Sequence, residues 1–218
     1  TSNLTSDGLL DMFISKLDSD GNFVWAKRMG GTGTDTISTI FLDDSNNIYS
    51  TGGFAGTVDF DPGAGTSNLT SAGSNDVFIS KLDSNGDFVW AKKVGGGTGD
   101  YAYNVIGNGT TSVYLSGTFT GTVDFDPGVG TSNLVSNGSV DMFFLKIDSD
   151  GNYIWAKQIG GNDYDEPYAM NIDDSENLYT TGYFSTTADF DPGAGTVNFT
   201  TTVNDIFISK LDSDGNYI

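Results

Sequence analysis

The sequence predicts an all-β protein built from tandem repeats, and three observations support this prediction. A pattern of 65 residues recurs through the 218-residue chain, with Trp25, Trp90 and Trp155 at corresponding positions. Short segments rich in β-branched and aromatic residues alternate with turns rich in Gly, Asp and Asn, as expected of strands and hairpins. No segment keeps the 3.6-residue apolar periodicity of an amphipathic helix.

The second repeat shows how the strands are predicted. Apolar and β-branched residues place four strands at Val77–Leu82, Phe88–Val94, Tyr101–Ile106 and Ser112–Phe119, with Gly- or Asp-containing turns between them. The stretch 121–138 follows the fourth strand and contains the sequence FDPG. We expect this stretch to form a small hairpin or a long loop.

Consecutive apolar residues within the strands predict that both faces of each sheet are covered. Phe78 and Ile79 are adjacent, as are Phe88 and Val89, whereas a sheet with one wet face would alternate apolar and polar residues. Four-stranded sheets that pack face to face and repeat around an axis are the blades of a β-propeller. A β-solenoid is the main alternative, but its coils are usually much shorter than this repeat. We therefore expect β-propeller blades of four antiparallel strands.

The repeats are predicted to form one partial β-propeller over residues 1–218. They cover residues 1–65, 66–130 and 131–195, and an incomplete fourth copy covers 196–218, which gives about three and a third repeats. Propellers typically close with four to eight blades. We therefore expect the chain to be part of a longer propeller. The alternative is that two copies of the chain combine into about seven blades.

The repeated pattern resembles a known family. Asp11–Gly31, which reads DMFISKLDSDGNFVWAKRMGG, and Asp43–Phe54, which reads DDSNNIYSTGGF, are similar to the bacterial seven-bladed β-propeller (SBBP-type) repeat family. The FDPG segments resemble a subgroup of large secreted or surface proteins of Gram-negative bacteria, often exported by type IX secretion. The resemblance covers essentially the whole chain. It implies a propeller fold and an extracellular or cell-surface location, and the family has no universal catalytic residues.

Composition and charge exclude several function classes. The formal net charge is −20, and 27 of the 29 acidic residues are Asp. Such a chain should repel nucleic acids and anionic membranes and attract divalent cations or basic partners. The chain contains neither Cys nor His, which excludes disulfides, thiolate zinc sites and the commonest general base. No apolar run reaches the length of a membrane span, so membrane insertion is not expected.

Two kinds of Asp-rich turn are candidate calcium sites. Spaced carboxylates followed by Gly suit a hard cation with oxygen ligands, although the bidentate Glu of an EF-hand is missing. The alternative is that each Asp stabilises its turn through bonds from its side chain to the backbone. The candidate ligands are Asp18, Asp20, Asp148 and Asp150 in the DSDGN turns, and Asp59, Asp61, Asp124, Asp126, Asp189 and Asp191 in the FDPG turns.

The Gly-rich loops between repeats are a candidate ligand surface, because such loops line one face of a propeller. Tyr101, Tyr103, Tyr164 and Tyr168 lie close to these loops in sequence. Tyrosine beside flexible polar loops suits adaptable binding. A protein or a carbohydrate is therefore a possible ligand of this surface.

The leading functional interpretation is a non-catalytic extracellular propeller module that acts as a surface scaffold, an adhesin or a ligand-binding platform. The repeats are nearly identical and no residue stands apart from its copies, which is unlike a propeller enzyme. The first alternative is a calcium-dependent binder of carbohydrate or protein, in which calcium would be the one cofactor. An enzyme acting on glycans is a third hypothesis, which the absence of His and of a distinctive carboxylate disfavours.

Overall fold

The structure is a computed structural model that describes residues 3–109 and 111–218. The start of the first predicted repeat and Thr110 therefore lie outside the described residues. The described residues form strands and turns without a helix, and so contain no helix that could span a membrane. The strands are β1 (Met12–Leu17), β2 (Phe23–Gly31), β3 (Thr36–Leu42), β4 (Ile48–Phe54), β5 (Thr57–Asp59), β6 (Asn68–Thr70), β7 (Asp76–Leu82), β8 (Phe88–Gly96), β9 (Tyr101–Gly107), β10 (Ser112–Phe119), β11 (Thr122–Asp124), β12 (Asn133–Val135), β13 (Asp141–Asp148), β14 (Tyr153–Gly161), β15 (Glu166–Ile172), β16 (Leu178–Phe184), β17 (Thr187–Asp189), β18 (Asn198–Thr200) and β19 (Asp205–Leu211).

The strands form four antiparallel sheets that are arranged as propeller-like blades. The first blade has the strand order β1-β2-β5-β6 and the last has the order β15-β16-β19. The two middle blades have the orders β3-β4-β7-β8-β11-β12 and β9-β10-β13-β14-β17-β18, each with four long strands and a short hairpin. The sheets do not close into a ring, so the all-β architecture and the partial propeller predicted from the sequence are confirmed.

Each of the two middle blades takes its four long strands from two consecutive sequence repeats. In the second blade, β3 and β4 come from the first predicted repeat, whereas β7 and β8 come from the second. All seven residues of β4 pair with β7, from Ile48 opposite Leu82 to Phe54 opposite Asp76. The Gly-rich loop after β8 then carries the chain to the next sheet, where β9 begins. The 65-residue period is therefore the blade period, but the blade starts at β3 rather than at the start of the predicted repeat.

The FDPG segments form the hairpins that complete the preceding blade, which confirms the predicted hairpin within 121–138. The hairpin β5-β6 lies between β4 and β7 in sequence, yet β5 pairs with β2 of the previous sheet, with Gly30 opposite Asp59 and Gly31 opposite Val58. Phe60 follows β5 and is fully buried, with its ring 5.5 Å from that of Phe54. The hairpin thus covers an otherwise open sheet edge and joins adjacent blades.

The core lies between successive blades. In β7, Val77 and Ile79 pack in one apolar cluster with strands of the following blade, while Phe78 and Leu82 pack in another with strands of the preceding blade. The tryptophan of the repeat contributes to this packing, because Trp90 packs against the same cluster as Ile79. Burial on both faces explains why apolar residues follow one another without alternation.

The two end blades expose one of these faces. Phe13 is 64% exposed on the first blade and Ile208 is 83% exposed on the last, whereas their counterparts Phe78 and Ile79 in the second blade are fully buried. The exposed faces are the two that a neighbouring blade covers in the middle of the structure.

Candidate functional site

The predicted calcium ligands of the DSDGN turns hold the turns together. Asp18 Oδ1 accepts hydrogen bonds from the backbone N–H groups of Asp20 and Asn22, at 3.0 and 2.8 Å, and its Oδ2 accepts one from the Asn22 side chain. These hydrogen bonds, chiefly those from Asn22, lower the pKa of Asp18. Asp148 makes the same three hydrogen bonds to Asp150 and Asn152. Asp20 and Asp150 themselves are exposed.

The FDPG carboxylates also accept hydrogen bonds from their own turn. Asp59 Oδ1 accepts from the backbone N–H groups of Asp61 and Ser67, at 3.0 and 2.8 Å, and Asp61 Oδ1 accepts from Gly63 at 2.7 Å. A Cβ atom at Gly65 would lie 2.1 Å from Asp61 Oδ2, so the loop requires glycine there. The same hydrogen bonds recur at Asp124, Asp126, Asp189 and Asp191.

The structure leaves the candidate calcium ligands in separate turns. Over residues 3–109 and 111–218, no three acidic side chains come together in a group that could hold a metal ion. The backbone donors of the turns occupy an oxygen of Asp18, Asp59, Asp61 and Asp148. Calcium binding therefore stays a prediction, and every predicted carboxylate with these bonds has a role in its own turn.

A cleft of about 510 Å³ lies where the β3-β4, β9-β10 and β15-β16 turns meet. These turns lie at the C-terminal ends of strands β3, β9 and β15. Glu176 lines it and accepts hydrogen bonds from Tyr114 Oη at 2.6 Å, Lys146 Nζ at 2.9 Å and Asn108 Nδ2 at 2.7 Å. Burial opposes ionisation of Glu176, but these three donors outweigh it and lower its pKa to about 2. Glu176 is therefore ionised and fully engaged in a bridge between two blades.

Glu176 also corrects the expectation that no carboxylate stands apart from its repeat copies. The corresponding positions of the first two repeats hold Asn46 and Thr111. The backbone at Glu176 has a φ of 59°, which resembles the φ of 61° at Asn46. A comparison of the repeats position by position would have identified this residue from the sequence.

Five side chains lie toward the opposite end, where strands β9 and β15 begin. We call them the tyrosine cluster: Tyr103, Tyr164, Glu166, Tyr168 and Tyr183. Tyr103 lies in β9, Glu166 and Tyr168 lie in β15, and Tyr183 lies in β16. Tyr164 lies in the Gly-containing loop before β15. The cluster thus joins two adjacent blades, and three of the four tyrosines expected to form a ligand surface belong to it.

Strand pairing explains how the cluster is assembled. Glu166 and Tyr183 are directly opposite in the β15-β16 pair, and Tyr183 Oη donates a 3.1 Å hydrogen bond to Glu166 Oε2. The register of this pair shifts between Pro167 and Ala169, so Tyr168 is the extra residue of a β-bulge. Tyr103 occupies the same bulge position in β9. Bulges reorient side chains relative to the sheet and are common beside functional sites.

The rings of the cluster contact one another. Tyr164 stacks on Tyr183 with ring centroids 5.9 Å apart and an angle of 11° between the planes, and Tyr168 packs on Tyr183 with centroids 5.5 Å apart. Tyr168 is 62% exposed, so its ring presents a large aromatic surface to a ligand. Tyr101 lies elsewhere: its ring packs against Gly53 of the preceding blade, where a Cβ atom would be 2.9 Å from its Cδ1.

Three tyrosines of the cluster have a raised pKa, so their hydroxyl groups are neutral at physiological pH. Burial, together with the neighbouring Tyr103 and Glu166 side chains, raises the pKa of Tyr164 to about 12. Burial and the neighbouring Glu166 carboxylate also raise the pKa of Tyr103 and Tyr183 above the ordinary value for tyrosine. The cluster therefore combines phenol groups with one carboxyl group.

The repeats also differ in chemical character at the positions that form the cluster. The four positions are Thr34, Thr36, Ser38 and Gly53 in the first repeat, Gly99, Tyr101, Tyr103 and Thr118 in the second, and Tyr164, Glu166, Tyr168 and Tyr183 in the third. Small side chains are thus replaced by tyrosine and glutamate along the chain. Glu166 and Tyr183 were not predicted as members, because the expectation covered tyrosines close to the Gly-rich loops: Glu166 is not a tyrosine, and Tyr183 lies in β16.

Comparison with known proteins agrees with the observed fold. Residues 154–191 match the model of a family described as a beta-propeller repeat (SBBP). The chain is also 24% identical over 219 residues to an uncharacterized WD repeat-containing protein, L264, of Acanthamoeba polyphaga mimivirus. That alignment covers 87% of the present chain but 15% of the viral protein. The matched repeat includes Tyr164, Glu166, Tyr168 and Tyr183.

Proposed function

Since residues 154–191 carry a beta-propeller repeat, we propose that the chain is a non-catalytic ligand-binding module whose binding surface is the tyrosine cluster. The observation that carries this proposal is the concentration of tyrosine and glutamate at four positions that are small or mixed in the other repeats. Most of the remaining sequence preserves the scaffold. Tyrosine and glutamate side chains that are brought together on one surface of a repeated fold are typical of a scaffold adapted for recognition.

The scaffold supports binding by holding the cluster in one geometry. Glu166 and Tyr183 are fixed by the cross-strand register, and the Tyr183 ring packs against the rings of Tyr164 and Tyr168. Little side-chain entropy is then lost when a ligand binds, which favours affinity. Tyr168 is the most exposed ring, so it is the side chain that a ligand meets first.

The same proposal places the module at the cell surface or in the extracellular medium, as a scaffold or adhesin within a larger protein. The similarity of the repeats to those of secreted bacterial proteins supports this location, and the high content of Asp supports solubility at the surface. Protease treatment of intact cells of the source organism tests it. An antibody against the module should lose its signal when intact cells are treated with the protease. A module that the protease digests only after the cells are lysed would contradict the proposed location.

The binding proposal is tested by a panel of immobilised oligosaccharides, basic peptides and acidic peptides. Binding of the 218-residue chain is measured by biolayer interferometry, with the Tyr168→Ala variant beside it. We expect at least one ligand class to bind the unmodified chain and to lose affinity with the variant. A panel in which no ligand distinguishes the two proteins would contradict the proposal.

A further inference from the structure

The chain repeatedly places an ammonium group against a tyrosine ring beside a carboxylate. Lys81 Nζ lies 4.8 Å from the centroid of Tyr49, and Lys146 Nζ lies 4.9 Å from that of Tyr114. The Lys146 ammonium also lies 2.9 Å from Glu176 Oε2. Such cation–π contacts gain strength from the negative face of the ring.

A third pair shows the same arrangement in the last blade, between β16 and β19. Lys210 Nζ lies 5.0 Å from the centroid of Tyr179, whose hydroxyl donates a 3.2 Å hydrogen bond to Asp173. The combination of ring, ammonium and carboxylate thus occurs in three blades. In each case the ammonium belongs to the chain itself.

The tyrosine cluster has the rings and the carboxylate but lacks the ammonium. Within the described part of the chain, no Lys or Arg pairs with Glu166 or lies over Tyr103, Tyr164, Tyr168 or Tyr183. Glu166 accepts a hydrogen bond from the phenol of Tyr183, and the phenols of Tyr103 and Tyr164 also interact with it. The partly buried carboxylate therefore lacks a compensating positive charge from the chain.

We propose that the tyrosine cluster binds an organic ammonium group, with the cation against the ring of Tyr168 and its charge directed toward Glu166. This inference rests on the proposed ligand-binding function and names its ligand chemistry. Tyrosine rings with a carboxylate match both parts of a methylated or primary ammonium, namely its charge and its apolar C–H groups. The net charge of −20 attracts a cation and repels an anionic ligand. The ammonium can belong to a free amine or to a lysine side chain of a peptide.

The experiment is an NMR titration of the intact 218-residue chain with three test ligands, in which the tyrosine ring resonances are followed. Tetramethylammonium represents a free organic ammonium ion, a capped tripeptide with a central lysine represents a peptide source, and maltoheptaose represents a neutral sugar. We expect saturable shifts with at least one of the two cations. The cation that binds more tightly identifies the source.

Four variants assign the binding to the cluster. Tyr168→Ala and Glu166→Gln are each expected to weaken cation binding about tenfold, whereas Tyr168→Phe keeps the ring and should bind almost as well as the unmodified chain. Tyr179→Ala is the matched control, because Lys210 already covers that ring. Added salt should weaken binding, as expected for a partly exposed charge pair.

The outcomes separate this inference from the broader function. Binding of maltoheptaose that depends on Tyr168, with no binding of either cation, would overturn the ammonium inference and leave the ligand-binding module intact. Cation binding that is equal in Tyr168→Ala and Tyr179→Ala would overturn the inference as well. Absence of binding by all three test ligands would overturn the inference, and the immobilised panel would then decide the broader function.

Discussion

Glu176 Oε2 lies 2.6 Å from the hydroxyl group of Tyr114 and thereby joins the last blade to the one before it. Glu176 belongs to the turn between β15 and β16, whereas Tyr114 belongs to β10. The same oxygen accepts a hydrogen bond from Lys146, and Asn108 donates to the other oxygen. The corresponding turns of the first two repeats have no glutamate, so this bridge strengthens one particular junction between blades.

Glu176→Gln should weaken that junction. The amide keeps the size of the side chain but removes the negative charge that pairs with Lys146, and Tyr114 loses a charged acceptor. We expect the free energy of unfolding to fall by about 1–3 kcal/mol, as measured by urea denaturation. Asp174→Asn, in the same turn, is the control and should change the value by less than about 0.5 kcal/mol. Equal losses from the two variants would contradict the proposed bridge.

Two buried aspartates should make stability fall as pH rises. Asp100 accepts hydrogen bonds from the backbone of Gly96 and Thr120, Asp165 makes the corresponding bonds, and burial raises the pKa of each carboxyl to about 6. Each folded-state pKa lies above the unfolded value. Between about pH 4 and about pH 6 the folded state therefore binds more protons than the unfolded state. The free energy of unfolding that this proton binding contributes is lost as the pH rises through about 6.

Asp165→Asn tests this dependence. The variant should remove the contribution of one site, so its free energy of unfolding should fall less than that of the unmodified chain between about pH 4 and about pH 7. The difference at full titration is at most about 3 kcal/mol. Urea denaturation at a series of pH values measures it, with Asp20→Asn on the exposed turn as the control. Parallel curves for the unmodified chain and Asp165→Asn would show that Asp165 does not titrate in this range.

The strands were predictable because their signals are local. β10 has the predicted bounds Ser112–Phe119, and β7 begins one residue earlier than predicted, at Asp76. The pairing of β5 with β2 was not predictable in the same way. A three-residue strand carries almost no register information of its own, and its partner is set by the packing of neighbouring blades. The period was therefore visible in the sequence, whereas the blade boundary was not.

The candidate site was predictable in part for the same reason. Tyr103, Tyr164 and Tyr168 lie in or beside the Gly-rich loops, which marked them as a possible ligand surface. Glu166 and Tyr183 are 17 residues apart and meet only through the cross-strand register. Alignment of the repeats on one another would have shown that both positions differ from their copies, but not that they touch.

Thr186→Gly should stabilise the protein. Thr186 has a φ of 56°, a left-handed conformation that is unfavourable for a β-branched residue. Its counterparts in the earlier repeats are Gly56 and Gly121, with φ values of 74° and 68°. Glycine relieves about 1–2 kcal/mol of strain but orders more backbone on folding, so we expect a net gain of about 0.5–1 kcal/mol in the free energy of unfolding. A loss of stability would show that the threonine side chain contributes more than its backbone strain costs.

Removal of the Asp59 carboxylate tests the two interpretations of the FDPG turns. Asp59→Ala removes the acceptor for the N–H groups of Asp61 and Ser67, so we expect a loss of about 1–2 kcal/mol. The midpoint of thermal unfolding is measured for both proteins with calcium and with a chelator. A loss that is the same in both conditions assigns the carboxylate to its turn. A calcium-dependent rise of the midpoint that disappears in the variant would assign it to a cation site.

The burial of equivalent isoleucines leads to opposite expectations for the same substitution. Ile79 in β7 is fully buried between two blades, whereas Ile208 in β19 is 83% exposed. Ile79→Ala should lower the free energy of unfolding by about 2–5 kcal/mol, because it leaves a cavity in the apolar cluster with Val105 and Leu115. Ile208→Ala should change it by less than about 0.5 kcal/mol in a dilute solution of single chains. Urea denaturation over a range of protein concentrations measures both. If Ile208→Ala lowers the free energy of unfolding by an amount that depends on protein concentration, a second chain covers the exposed face of the last blade. A side chain that stays open to water would contribute little to stability at any protein concentration.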